Sequence, residues 1–301
     1  MSKNFKVGID YGGTKIEGIL MDNEGNEILR KRSTYEKNYK SGIQTVSSLV
    51  EEFDKHTGTI NTVGVGIPGS SSKETGLIKN ANSIWLNDKP FKQDLENSLG
   101  RDIRLMNDAN CFALSESIDG SGRGYDSVWG VIIGSGFGGS FVYKNQVIEG
   151  VNQVAGDWGH QPLPYPNEEE QELGLKCEVG NCHRPLCAEQ FISGVGFTKL
   201  FNLKYGTNFR TREIVALEAN GDERAKKEFD LYEDRFARLI AIMIGIVDPD
   251  VIILGGGMSN IGRIYKNIPK ILPKYTFSDK VRNKILRNTH GDSSGERGAA
   301  W

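Results

Sequence analysis

The most constraining stretch of the chain is Asp10-Tyr11-Gly12-Gly13-Thr14-Lys15, set between the apolar runs Phe5-Lys6-Val7-Gly8-Ile9 and Ile16-Glu17-Gly18-Ile19-Leu20-Met21. Two β-rich segments joined by a short glycine-containing loop predict a hairpin. The adjacent glycines allow a tight turn with positive φ. Backbone N–H groups in such a turn, with the Thr14 hydroxyl and the Lys15 ammonium beside them, form a cradle for anionic oxygens. Asp10 would repel a bare phosphate, so its place at the strand end fits a divalent cation between it and a nucleotide. An ordinary Gly-Gly hairpin with a solvated Asp has the same local pattern, and the recurrence of the motif is what tips the balance. The strand Asp126–Ile133 runs into Gly134-Ser135-Gly136, and a second strand follows from Phe137. Strand, glycine turn, strand thus occurs twice, about half a chain apart, which implies a duplicated domain. Two such turns facing each other across a cleft would hold a nucleotide from both sides.

The 301 residues suffice for two domains, each with its own core. A formal net charge of −2 with interspersed Lys and Glu leaves no basic stripe, which argues against nucleic acid or a membrane surface as partner. Met1-Ser2-Lys3-Asn4-Phe5 leads directly into a strand without a signal-peptide core, and no apolar run is long enough to span a bilayer. A cytoplasmic location is the expectation. Of the 4 cysteines, Cys177, Cys182 and Cys187 crowd into one short segment, which points to metal before disulfides.

Along the chain, Glu27–Arg32 extends the hairpin into an antiparallel meander. Ile43, Val46, Leu49, Val50 and Phe53 recur at helical spacing over 41–56, and Gly58 ends that helix. Thr62–Ile67 is a strand stopped by Pro68-Gly69, and its return beside the meander makes the sheet mixed. Alternation of this kind means α/β layers. Lys79–Leu86 has the look of a binding loop, although its Asn residues could equally be turn formers. Phe91–Leu99 is a short helix; Ile103–Met106 is a strand delivering Asn107-Asp108-Ala109-Asn110 to its carboxyl end, where ligands collect in open α/β sheets. Asp108 could be only the N-cap of the helix expected from Cys111 to about Ser117, but Asn107 and Asn110 would then be redundant caps. Gly120–Gly124 is the candidate boundary between halves. Asn167–Glu170 reads as irregular and acidic; helices follow from Glu189 to about Leu203, over Thr211–Ala219 and over 222–247. Val251–Leu254 is a strand ending in a third glycine turn, Gly255-Gly256-Gly257.

His160 with Cys177, Cys182 and Cys187 matches four-coordinate structural zinc in ligand type and number, against a loop of thiols near an unrelated histidine. If metal gathers this loop it also gathers Asp157 and Glu189, and clustered carboxylates with asparagines describe a carbohydrate pocket.

These segments, in this order and together with Gly66-Ile67-Pro68-Gly69, Cys187-x-Glu189 and His290–Gly295, resemble the ROK family of sugar kinases, repressors and open reading frames, most nearly its fructokinase and mannokinase members. The resemblance spans essentially the whole chain. It implies an α/β fold, actin-like and ribonuclease-H-like, in two lobes: 1–119, with a C-terminal helix at about 291–301 crossing back, and 120–290, carrying a zinc loop at 157–189. It implies ATP and Mg²⁺, with Asp10, Gly12, Gly13, Thr14, Lys15, Gly134, Ser135, Gly136, Gly255, Gly256 and Gly257 around the nucleotide. By the same resemblance Asp108 is the catalytic base, Asn82, Asn107, Asp157, His160 and Glu189 face the sugar, and His160 with the three cysteines holds Zn²⁺. Two departures stand out: Asp157 replaces the family's usual Glu, and Gly180 stands where the first cysteine of the family's pattern falls, with Cys177 three residues earlier. The reaction expected is transfer of phosphate from ATP to a hexose hydroxyl, with fructose to fructose 6-phosphate foremost and mannose, glucose or an N-acetylhexosamine as alternatives. Relatives commonly form dimers, so a homodimer is expected. A sugar-responsive repressor is disfavoured, because the first strand begins at Phe5 with no helix-turn-helix ahead of it.

Overall fold

The computed structural model describes residues 5–176, 184–291 and 294–301. The chain divides into two compact units, one of Met1–Gly124, Asn145–Ala155 and Thr289–Trp301, the other of Tyr125–Lys144 and Gly156–Asn288.

In the first unit, β1 (Lys6–Tyr11), β2 (Lys15–Met21), β3 (Glu27–Thr34), β4 (Thr62–Ile67) and β5 (Arg104–Asn107) form a mixed sheet in the order β3-β2-β1-β4-β5. β1, β2 and β3 are antiparallel neighbours, whereas β4 is parallel to both β1 and β5. Helix α1 (Tyr39–Thr57) buries Val46, Leu49, Val50 and Phe53, starts at the Asn38 side chain and ends at Gly58, whose φ of 68° is the left-handed cap expected of glycine. Helix α2 (Phe91–Leu99) covers the residues its pattern predicted. Helix α3 (Asp108–Ile118) begins earlier than the apolar run from Cys111 suggested, because Asn107 caps it and Asp108 is its first residue.

The second unit repeats the plan with β6 (Ser127–Ile133), β7 (Phe137–Tyr143), β8 (Val251–Gly255) and β9 (Lys284–Arg287). β6 and β7 form an antiparallel hairpin, and β8 lies parallel between β6 and β9. Helices α4 (Glu168–Lys176), α5 (Ala188–Ile192), α6 (Gly194–Tyr205), α7 (Thr211–Ala219), α8 (Glu223–Val247) and α9 (Gly262–Ile271) complete it. Two expectations change here. The stretch Asn167–Glu170 is not irregular but opens α4: the Asn167 carboxamide accepts from the Glu170 N–H (2.8 Å) and the Glu170 carboxylate from the Asn167 N–H (3.0 Å), a capping box. The helix expected from Glu189 breaks in two at Ser193, whose side chain caps α6 through the Gly196 N–H. Glu170 is buried, and its Oε1 accepts from Arg235 Nε (2.8 Å) and Arg238 Nη2 (2.6 Å) of α8. This buried ion triad fixes 164–170 on the long helix.

The last helix, α10 (Ser294–Ala300), packs in the first unit on β1, β4 and α3. Its approach is backbone to backbone. A Cβ on Gly8 would overlap the Glu296 carbonyl, one on Gly64 the Ala299 carbonyl, and one on Gly298 the Cys111 carbonyl. Three glycines therefore set how deeply α10 sits. Gly64→Ala is expected to destabilise the protein by about 1–3 kcal/mol or more in urea unfolding, the cost of overpacking. Gly262→Ala, where nothing lies within 4 Å of the added methyl, is expected to be neutral or slightly stabilising.

Candidate active site

The loop Gly12–Thr14 joins β1 to β2 in the first unit, and Gly13 and Thr14 are exposed. Its glycines do not adopt the positive φ expected of them. Gly12 is instead demanded by proximity, since a Cβ there would stand 2.8 Å from the Lys15 carbonyl oxygen. The Tyr35 hydroxyl donates to the Gly12 carbonyl (2.9 Å), and Tyr11 accepts from Trp85 Nε1 (3.1 Å), so the loop rests on an aromatic bed. Lys15 Nζ lies 3.7 Å from Glu17.

Asp10 is partly buried near the end of β1. Burial, then the nearby charges of Asp108, Glu296 and Glu17, push its carboxyl up to about 7, while Lys15 pulls the other way. Gly295 of α10 closes over it, with a built Cβ only 3.3 Å from Asp10 Cγ. Asp108 opens α3, but the capping atom is Asn107 Oδ1, which accepts from the N–H groups of Ala109 (2.9 Å) and Asn110 (3.4 Å). Asp108 Oδ1 accepts from the Ala109 N–H (2.8 Å) alongside. Asn107 Nδ2 donates to the Gly69 carbonyl (3.1 Å), and the Asn82 N–H donates to the Pro68 carbonyl (3.0 Å). Asn82, Pro68-Gly69 and Asn107 are thus brought together, with the Asn82 side chain exposed.

In the second unit, the Gly134 N–H donates to the Gly136 carbonyl (3.0 Å) and the Gly134 carbonyl accepts from the Gly194 N–H (2.8 Å). Ser135 and Gly136 are exposed. Because β6 and β8 are parallel neighbours, Gly255–Gly257 lies beside this turn. Gly256 has φ 80°, and a Cβ on it would be 2.6 Å from the Ile133 carbonyl oxygen. Glu189 is buried, and its Oε2 accepts from the Phe137 N–H (2.9 Å), so it anchors the Gly134–Gly136 turn. The single turn Trp158–His160 stands on the same place: Gly159 fits only because it has no side chain against the Phe137 carbonyl, and the Phe137 and Trp158 rings are 4.9 Å apart. Asp157 is exposed at its start. Antiparallel pairing of Pro162 with Cys187, flanked by Leu163 N–H to Leu186 O and Ala188 N–H to Gln161 O (2.8 Å each), sets the His160 and Cys187 segments side by side. His160 Nδ1 is buried and has no hydrogen-bond partner among the described residues. Cys177 and Cys182 lie outside the described residues, and among those described no group of three or more His, Cys, Asp or Glu could hold a metal ion.

The sequence reading missed Glu296, a carboxylate with its side chain buried, paired at 2.9 Å with Arg30 and pushed up to about 7, chiefly by burial. Its one signal was an acid inside the small-residue run Ser294-Gly295-Glu296-Arg297-Gly298-Ala299-Ala300.

A mixed sheet repeated in two units, each offering a glycine turn at the end of its first strand, matches the ROK family model over residues 6–301. The chain belongs to the ROK family. It is 37% identical over 300 residues to an N-acetyl-D-glucosamine kinase of Vibrio cholerae, covering 98% of each chain. It is also 37% identical to an N-acetyl-D-glucosamine kinase of Haemophilus influenzae, covering 97% of each. Among solved structures, a ROK hexokinase from Thermus thermophilus superposes with a TM-score of 0.86 at 24% identity, covering 98% of this chain and 96% of that one. A ROK glucokinase from Streptomyces griseus, solved with glucose and AMPPNP, gives 0.78 at 23% identity, covering 99% and 98%. The fold is accordingly the actin-like fold of ROK sugar kinases. No helix of the described residues is long and apolar enough to cross a membrane.

The Asp10 carboxyl, raised to about 7, binds more protons in the folded than in the unfolded chain across roughly pH 4–7. Its contribution is therefore most favourable below the ordinary Asp range and is lost as pH rises through 7. Asp10→Asn is expected to raise Tm at pH 8, with a stability gain of a few kcal/mol, and to change it little at pH 4. Thermal melts of the two proteins across this range check the sign.

Proposed function

We propose that the chain is an ATP-dependent hexose kinase whose acceptor is the 6-hydroxyl of N-acetyl-D-glucosamine. Fructose, the sugar expected from the sequence, gives way because the relatives at 36–37% identity are named for N-acetyl-D-glucosamine. The observation that carries the reading is the placing of two carboxyls, Asp10 and Asp108, at the carboxyl ends of β1 and β5 in one sheet.

Asp108 is the general base: its carboxylate takes the proton of the sugar hydroxyl as that oxygen attacks the terminal phosphorus, while Asn107 is the N-cap of α3. N–H groups of the exposed residues Gly13, Thr14, Ser135 and Gly136, with Gly255–Gly257, cradle phosphate oxygens, and Lys15 adds positive charge. Asn82, Asn107, Asp157, His160 and Glu189 orient the sugar. The residues fit Mg²⁺: an acid with acidic neighbours is most stable with a cation beside it, and Asp10 is the group that would hold it. When bound, Mg²⁺ neutralises the charge of the terminal phosphates. Zinc fits the orphaned Nδ1 of His160 and its neighbour Cys187, with Cys177 and Cys182 completing a closed structural set. A homodimer and a cytoplasmic location belong to the same proposal.

In a coupled assay with ATP and Mg²⁺ over a hexose panel, kcat/KM is expected to be at least tenfold higher for N-acetyl-D-glucosamine than for fructose. Asp108→Asn is expected to lower kcat by about 10²–10⁴-fold with little change in KM; near-normal turnover would remove Asp108 from the mechanism. Metal analysis of the purified protein is expected to find about one zinc per chain, lost in Cys187→Ser.

A further inference from the structure

A cavity of about 30 Å³ in the first unit adjoins Asn107, and the mechanism above leaves it unused. One wall is apolar, made by Ile67 and Leu105 with Met106; the other is polar, made by Ser71, Glu149 and Gln153. A water molecule needs roughly 10–15 Å³ on this measure, so the space takes about two such groups. The polar wall is held in place deliberately: Lys73 Nζ donates to the Gly150 carbonyl (3.2 Å) and Lys79 Nζ to the Asn152 carbonyl (3.1 Å), tying 149–153 to the segment that carries Ser71. Within it, Gln153 sits at φ 56°, a conformation unfavourable for a residue with a side chain. Its Oε1 is buried and has no hydrogen-bond partner among the described residues. A strained residue that leaves a buried acceptor unmet is costly unless something else meets it.

We propose that this cavity is the acetamido pocket of the sugar site, with Gln153 Oε1 accepting the N–H of the substrate's amide. The inference rests on the kinase reading and deepens it to the class of 2-acetamido sugars. Two parts of an acetamido group find their match: the amide N–H meets the orphaned acceptor of Gln153 and the methyl meets Ile67 and Leu105, while the Ser71 hydroxyl donates to the Gly76 carbonyl (3.2 Å). A 2-hydroxyl can turn its one proton to another acceptor and leaves the apolar lining unfilled, whereas the amide N–H is fixed in direction and depends on Gln153.

The test is the ratio of kcat/KM for N-acetyl-D-glucosamine to that for glucose, measured on the full chain and on Gln153→Leu and Ser71→Val. The wild type is expected to favour the acetamido sugar, and each variant to lower the ratio about tenfold or more, one by removing the acceptor and the other by filling the space. A ratio unchanged within about twofold in a folded variant, or an equal fall for both sugars, overturns the pocket. If the wild type phosphorylates neither sugar, the kinase reading fails separately. Calorimetric binding of N-acetyl-D-glucosamine then decides the pocket, supported if Gln153→Leu abolishes binding and overturned if both proteins bind alike or neither binds.

Discussion

The crowded carboxyl of Asp10 is the constraint around which the first unit is arranged. It is desolvated and faces Asp108, Glu296 and Glu17, all of the same sign, so its charged form is disfavoured by every large influence on it. That situation is fixed by packing. The glycines at 8, 64 and 298 let α10 approach at backbone distance, and this places Gly295 against the Asp10 carboxyl and Glu296 behind the sheet. A longer side chain at any of these glycines would lift the helix and admit water.

The two units share a strand plan but divide the chemistry. In the first, the hairpin loop follows an acid, Asp10, and lies beside a second acid at the start of α3. In the second, the corresponding residue is Ile132, and the turn is governed by a glutamate from elsewhere, Glu189, which accepts the Phe137 N–H. The same strand plan thus carries two glycine turns with different acidic neighbours.

Much of the fold was legible because its signals are local. The apolar spacing of Ile43 to Phe53 and the glycine after it specify α1, and Phe91–Leu99 specifies α2. Where reading failed, a side-chain cap had overridden the apolar pattern: Asn167 with Glu170 started a helix in an acidic stretch, Asn107 started α3 ahead of its apolar run, and Ser193 cut one helix into two. The glycine turns were recognisable, but their cause was not: Gly12 and Gly136 are required by close neighbours, which no sequence spacing reveals, whereas Gly256 alone of these glycines has positive φ. Glu296 and Gln153 escaped notice because their meaning depends on burial and missing partners, which exist only once the chain is folded.

The central claim is that Asp10 holds a proton that a cation and nucleotide must displace. Titration calorimetry of ATP with Mg²⁺ near pH 7, repeated in buffers of different ionisation enthalpy, measures that proton directly. With the carboxyl at about 7, the account predicts release of roughly half a proton beyond that of Asp10→Asn under the same conditions. Equal proton release by the two proteins would contradict it.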